Sequence, residues 1–234
     1  MPAARSPPRG NPPRGEGSAP LPEDRAEALK LAPVSRETLE LLDRFAALLL
    51  AWQRTTHLVA PSTLPHLWTR HIADSLQLLD LTPGARLWVD VGSGGGFPGL
   101  VIACALAAKP DAAIHLVEAN TKKAAFLREA QRITGAPANV HAERMEAFAP
   151  RFAGPLDAIC ARAVSPLKSL LRLTFPLLHR DGVVGFFPKG KNAEGELQDA
   201  SNDWRMHATL VPSRTDPIGR IIVVREVEPR GHLP

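Results

Sequence analysis

The run Asp90-Val91-Gly92-Ser93-Gly94-Gly95-Gly96-Phe97-Pro98-Gly99 holds the residues best spaced to do chemistry. It follows the apolar Leu87-Trp88-Val89 and opens into an apolar segment from Leu100 to Ala108, so the order is strand, glycine turn, helix. Glycine there removes the Cβ that would block both a positive-φ turn and the approach of a ligand to bare backbone. Asp90 discriminates between ligands. A carboxylate two residues ahead of the first glycine repels a dinucleotide phosphate and attracts an ammonium or a sulfonium. S-adenosylmethionine (SAM) carries both cations and no phosphate, so the loop from Gly92 through Gly94 and Gly96 to Gly99 reads first as a cradle for its methionine end. Gly94 to Gly99 also satisfies G-x-G-x-x-G, which leaves a dinucleotide site and a ligand-free turn as alternatives. A phosphate loop is excluded, because no Gly-Lys-Ser or Gly-Lys-Thr follows at the proper spacing.

Three further strand ends supply polar groups where ligands of such sheets bind. Glu118 closes a short β-run and is placed to bind two ribose hydroxyls, the alternative being a solvated acid at a helix start. Met145 and Glu146 follow the next strand, where their backbone groups meet the adenine edge, unless Met145 only fills core. Arg162, between two alanines after a fourth strand, is placed to reach a ligand or a phosphate. Among the basic residues, Arg70, His71, Lys122, Lys123, Arg128, Lys168, Lys189 and Lys191 are candidates for phosphate contacts, against the ordinary reading of solvated charges.

These side chains need a scaffold, and the pattern supplies one. Leu39, Leu42, Phe45, Leu48, Leu49 and Trp52 recur at three- and four-residue steps and predict a helix capped by Ser35. A second helix is expected over Thr63 to Leu79, with Leu67, His71, Ser75 and Leu78 on one face. Beyond Pro83-Gly84, strands at Leu87–Val89, Ile114–Val117, Asn139–Ala142, Leu156–Ala161 and Val183–Phe187 alternate with helical segments. One of these helices is capped by Asn120 or Thr121 and stopped by Gly135; another covers Pro166 to Leu178. Two last runs, His207–Val211 and Arg220–Arg225, fit an antiparallel edge. The expected fold is therefore α/β: a doubly wound, Rossmann-like, mainly parallel sheet with an antiparallel C-terminal edge and an N-terminal helical cap. The corresponding divisions are a Pro/Arg-rich disordered tail over 1–28, the cap over 29–83, the catalytic core over 84–226 and a C-terminal tail over 227–234.

Composition narrows the function classes. The 234 residues carry 28 Lys and Arg against 24 Asp and Glu, a formal charge of +4 that is compatible with a polyanionic partner without requiring one. Only two cysteines occur, Cys104 and Cys160, both inside apolar runs, which reads as buried thiols in a reducing compartment. Cys160 lacks the charged neighbours of a nucleophile. No His/Cys cluster has zinc spacing, so no metal is expected. The longest apolar run is too short for a membrane span and the N-terminus lacks a signal-peptide core, which points to the cytoplasm.

Trp52, Arg70-His71-Ile72-Ala73-Asp74-Ser75, the stretch Asp90 to Gly99, Arg162-Ala163 and Lys189-Gly190 occur in this order. Together they resemble the small-subunit (16S) ribosomal RNA guanine-N7 methyltransferase family, also called glucose-inhibited division protein B, over about residues 35 to 226. Gln53 and His57 stand where that family usually has Asn, and Phe45 where it often has Tyr. The resemblance implies a SAM-dependent methyltransferase that modifies N7 of a guanine near the decoding centre; a monomer is expected. Its substrate is 16S ribosomal RNA or the small ribosomal subunit particle. It also implies a SAM pocket at Gly92, Phe97, Met145, Glu146 and Arg162, with Arg70, His71, Lys189 and Lys191 toward RNA. Guanine N7 bears a lone pair and no proton, so the transfer needs positioning and desolvation but no general base.

Overall fold

The computed structural model describes residues 24–231. Its centre is a seven-stranded sheet in which β1 (Leu87–Val91) lies between β2 (Ala113–Val117) and β4 (Ala158–Ala161). Outside these are β3 (Ala138–His141), next to β2, and β5 (Val184–Lys189), next to β4; all four pairings are parallel. β7 (Arg220–Pro229) runs antiparallel to both β5 and β6 (Trp204–Pro212), which gives the order β3-β2-β1-β4-β5-β7-β6. The expected parallel sheet with an antiparallel edge is present. Strand order reverses between β1 and β4, and a crevice opens there at the carboxyl ends of doubly wound sheets.

Alternation along β1 builds two cores. Val89 and Val91 face one side, with α6 (Met145–Phe148), α7 (Leu167–Leu178) and α8 (Ala193–Asp203). Trp88 faces the other, with α4 (Gly99–Ala105), α5 (Thr121–Thr134) and the cap helices α2 (Arg36–Gln53) and α3 (Asp74–Asp80). Phe45 of α2 packs on Phe97 and Phe126, with ring centroids 5.3 and 6.2 Å away, and so docks the cap onto the glycine loop and α5. Gln53 closes the end of α2: its side chain accepts from the Leu58 and Val59 amides and donates to the Val59 carbonyl.

Helix ends follow the expected chemistry. Ser35 accepts from the Thr38 amide, Asn120 from those of Lys122 and Lys123, and α5 ends at Gly135 with φ +65°. The helix expected from Thr63 is instead a composite. A 3-10 segment (Pro61–His66) leads through Leu67 into a π turn (Trp68–Ala73) that continues as α3, with Leu67, His71, Ser75 and Leu78 all buried.

Two boundaries differ from the sequence reading. A helix α1 (Arg25–Leu31) begins inside the stretch assigned to the tail. Asp24, itself buried, accepts hydrogen bonds from the Trp68 and Thr69 amides and the Thr69 hydroxyl. Arg25 makes a forked pair with Asp43 and lies over the Trp68 ring. Average composition hides these long-range partners of two residues. The rest of that tail, 1–23, lies outside the described residues. At the other end β7 runs to Pro229 with Val227 buried, past the boundary drawn at 226, and 232–234 again lie outside. The helix α8 was not foreseen.

Candidate active site at the carboxyl ends of the strands

A cleft of about 790 Å3 opens at the switch point between β1 and β4. One wall is the glycine loop, Gly92 to Gly95 with Phe97; facing it is the segment after β4, from Arg162 to Pro166. The cap contributes Arg70, His71 and Asp74, and Lys189, Glu196 and the β6–β7 turn with Asp216 complete the lining. Gly92, Gly94 and Gly96 all take positive φ, and a Cβ on Gly92 would come 2.8 Å from a Val164 methyl group. Gly99 is needed for packing: a Cβ there would lie 2.5 Å from both Asp90 Oδ2 and a Leu116 methyl group.

Arg162 is the best-anchored polar group in the cleft. Its side chain is 17% exposed, and the guanidinium donates to the Arg70 carbonyl at 2.8 Å and lies 3.4 Å from Asp74 Oδ2. It also bonds His71 Nδ1 and stands 5.3 Å from the Phe97 ring centre. The π turn presents the Arg70 carbonyl and the His71 ring on one side, where one arginine can take both. Since guanidinium only donates, His71 Nδ1 must accept, and Nε2 carries the proton toward Thr63 Oγ1, 2.8 Å away. Burial first, then the charges of Arg162 and Arg70, push the His71 pKa down to about 3, so the ring is neutral near pH 7. Ala163, next in sequence, holds φ +55°, a conformation costly for a residue with a Cβ and one that turns the chain after Arg162.

Asp74 is held in turn. Its Oδ1 accepts from the Thr215 hydroxyl at 2.7 Å and the Gln77 amide at 2.8 Å. Asp216, on the same β6–β7 turn, pairs with Arg70 at 2.8 Å. The antiparallel edge therefore braces the cap and, through Asp74, the arginine. On the opposite side Glu196 accepts from the Leu167 amide at 2.8 Å and pairs with Lys189 at 2.7 Å, all on the same oxygen, Oε2. Lys189 also donates to the Ser165 carbonyl, while the Ser165 hydroxyl is buried without a partner among the described residues. An unpaired buried hydroxyl costs about 1–3 kcal/mol.

The sequence candidates divide by place. Gly92, Gly94, Phe97, Arg70, His71, Arg162 and Lys189 all line the cleft. Gly96 lies behind the loop against Phe45. Asp90 sits under the loop, out of contact with the cleft. It shares the Trp88 face of β1, so α4 covers it; Oδ2 accepts from the Gly99 amide at 3.1 Å and Oδ1 is 3.6 Å from Cys160 Sγ. Burial raises its pKa to about 6. Glu118, also buried, accepts from the Gly94 amide at 2.8 Å and the Asn120 amide at 2.7 Å, which ties the glycine loop to the start of α5. Met145 belongs to the second core, and Glu146 is exposed in the first turn of α6. Lys189 is no surface phosphate contact, since its side chain is 9% exposed and its ammonium is ion-paired; Lys191 is exposed and outside the cleft. Cys104 and Cys160 are both free and buried, with raised thiol pKa values, as structural cysteines are. Among the described residues no His/Cys/Asp/Glu group has the arrangement of a metal site, and no helix is long and apolar enough to cross a membrane.

Asp74, Ser165, Glu196, Thr215 and Asp216 were not singled out from sequence. Asp74 stands within the Arg-His-x-x-Asp-Ser motif, which was the available signal. Glu196 lies in Ala193-Glu194-Gly195-Glu196, whose glycine and charge mask a helix start.

The family description GidB, rRNA small subunit methyltransferase G, matches residues 38–217. The chain belongs to this family. Its curated relatives include the ribosomal RNA small subunit methyltransferase G of Bradyrhizobium sp. strain BTAi1, 54% identical over 88% of this chain and 92% of that one. The protein of that name from Bradyrhizobium diazoefficiens is 55% identical over 89% and 79% of the two chains. Solved structures share the fold at much lower identity. An O-methyltransferase from Bacillus cereus, in complex with SAH, gives TM-score 0.57 at 16% identity, over 88% of this chain and 98% of that one. The O-methyltransferase TomG from Streptomyces achromogenes, in complex with SAM, gives 0.56 at 14%, over 88% and 96%. The fold is therefore that of the Rossmann-like methyltransferases, and the family is one of ribosomal RNA methyltransferases.

Proposed function

We propose that this protein transfers a methyl group from SAM to N7 of a guanine in 16S ribosomal RNA near the decoding centre, in the cytoplasm, acting as a monomer. One observation carries this reading beyond the family name. Every imidazole and carboxylate lining the cleft already has a partner: His71 at both nitrogens, Asp74 at both oxygens, Asp216 with Arg70, and Glu196 with Lys189. A cleft in which every imidazole and carboxylate already has a hydrogen-bonded or ionic partner suits a nucleophile that arrives without a proton, as guanine N7 does.

The residues fit the cofactor. The narrow cradle at Gly92, which a Cβ would fill against Val164, admits backbone contact with a ligand. The cleft volume lies within the range of about 300–1,000 Å3 usual for small-molecule sites. Glu118 and Asp90 place negative charge beside and beneath the loop, which favours a cation over a phosphate. Bound there, SAM supplies an electrophilic methyl group on sulfur. Gly92, Gly94 and Phe97 hold its methionine end, and Glu118 offers its remaining lone pairs to ribose hydroxyls. Met145 and Glu146 lie at the next strand end, where the adenine edge falls. Asp90 supports the loop from below through Gly99. Arg162 orients either the cofactor carboxylate or the guanine, and Arg70 contacts phosphate.

The test is methyl transfer from methyl-labelled SAM to small subunits from cells that lack this protein, followed by nucleoside analysis. The expected label runs as N7-methylguanosine. Label on a ribose, an exocyclic amine or a pyrimidine carbon overturns the proposal.

A further inference from the structure

We infer that Glu196, with Lys189 and Ser165, forms the pocket that recognises the Watson–Crick edge of the acceptor guanine and sets the base specificity of the reaction. This rests on the proposed methyl transfer to guanine N7. A carboxylate in a cleft that takes RNA is out of place as a phosphate contact, because it repels the backbone; it is well placed as an acceptor for base N–H groups. Oε2 of Glu196 receives both the Leu167 amide and the Lys189 ammonium, and no hydrogen bond within the described residues engages Oε1. The Lys189 side chain is nine-tenths buried, and its ammonium spends two contacts, on Ser165 O and Glu196, out of the three donors it carries. The Ser165 hydroxyl is buried with no partner, on a residue of the same cleft wall. One unused acceptor thus sits beside two unused donors. Guanine fits this set on one edge: N1–H and the N2 amine donate to the two lone pairs of Oε1, and O6, also with two lone pairs, accepts from the ammonium and the hydroxyl.

The position on the sheet agrees. The glycine loop follows β1 and Lys189 ends β5, with β4 between them. Two strand spacings separate these ends by about 10 Å, room for a purine with N7 toward the loop and its opposite edge toward Glu196. Glu196 already caps α7 at Leu167, so it is rigid before any ligand arrives.

The experiment uses small-subunit particles reconstituted around ligated RNA that carries either guanine or inosine at the methylated position; inosine lacks the N2 amine. Single-turnover methylation is measured for the wild type and for Glu196→Gln, which keeps an acceptor for the Leu167 amide. Folding and cofactor binding are checked by the thermal shift with S-adenosylhomocysteine. The wild type should methylate guanine at least 10-fold faster than inosine, the cost of a lost hydrogen bond to a charged acceptor. In Glu196→Gln the ratio should collapse toward one. A folded, cofactor-binding variant that keeps the wild-type ratio overturns the inference, as does a wild type indifferent to the N2 amine. A wild type that methylates neither RNA at N7 overturns the proposed function and this inference together.

Discussion

Two side chains in the site carry most of the testable physics, Asp90 and Arg162. Asp90 is fully buried, and its pKa is raised from 3.8 to about 6, mainly by desolvation and against the hydrogen bonds from Ser93 and Gly99. A folded-state pKa above the unfolded value means stability is fully present below about pH 4 and is lost as pH rises through about 6, amounting to about 3 kcal/mol across that shift. Asp90→Asn keeps an acceptor for the Gly99 amide and removes the buried charge. The melting temperature of this variant relative to wild type should therefore climb between pH 5 and pH 8; a difference that stays flat with pH shows that ionised Asp90 carries no such penalty. Arg162 is clamped by His71, Asp74 and the Arg70 carbonyl and does not stand free in the cleft. Arg162→Ala should cost about 1–3 kcal/mol of stability, because Asp74 loses a charged partner. It should also lower single-turnover methyl transfer by on the order of 10²-fold through lost positioning. Lysine should rescue little, since its compact ammonium lacks the planar fork that spans His71, Asp74 and the Arg70 carbonyl. Full activity of Arg162→Ala on small subunits contradicts this placement of the reacting groups.

At the scale of elements, α4 and the cap are the parts whose packing sets the cleft. Gly99 opens α4 directly over Asp90 and Leu116. Gly99→Ala should destabilise the fold by about 1–3 kcal/mol, since the new methyl group meets a buried carboxylate and a core side chain with no room to move; chemical denaturation measures it, and a neutral result contradicts the close contact. Asp24 likewise ties α1 to the π turn, and Asp24→Ala should cost about 1–3 kcal/mol by leaving the Thr69 amide unpaired. Here the sequence was a partial guide. The glycine loop, the caps at Ser35 and Asn120, the stop at Gly135 and every strand were legible, because they are local: period, cap and breaker residues lie within a few positions. Asp24 was not, as its partner is 45 residues away. Nor was the π turn, whose Arg70 carbonyl accepts from Arg162 of another element. Glu196 and Asp216 escaped for the same reason, since only the assembled sheet brings α8 and the β6–β7 turn to the cleft. Asp90 is the instructive case. Its type and spacing are legible in the sequence, whereas its burial under α4 follows from strand alternation, which a reading of the loop alone does not use.

The whole molecule joins two cores across one sheet, and the cleft sits where the cap, the glycine loop and the antiparallel edge all meet. That meeting point explains why Arg70, Asp74, Arg162 and Asp216, far apart in sequence, form one network. It also sets how function should fail: damage to the cap should reach the chemistry through Arg162 while the parallel sheet stays folded. The most direct measurement maps N7-methylguanine in small-subunit RNA by chemical cleavage, in cells with and without this protein. One cleavage in that RNA should vanish when the protein is lost, return with the wild type, and fail to return with Arg162→Ala at equal protein level. A cleavage pattern unchanged by loss of the protein contradicts the proposed reaction, and restoration by Arg162→Ala contradicts the site.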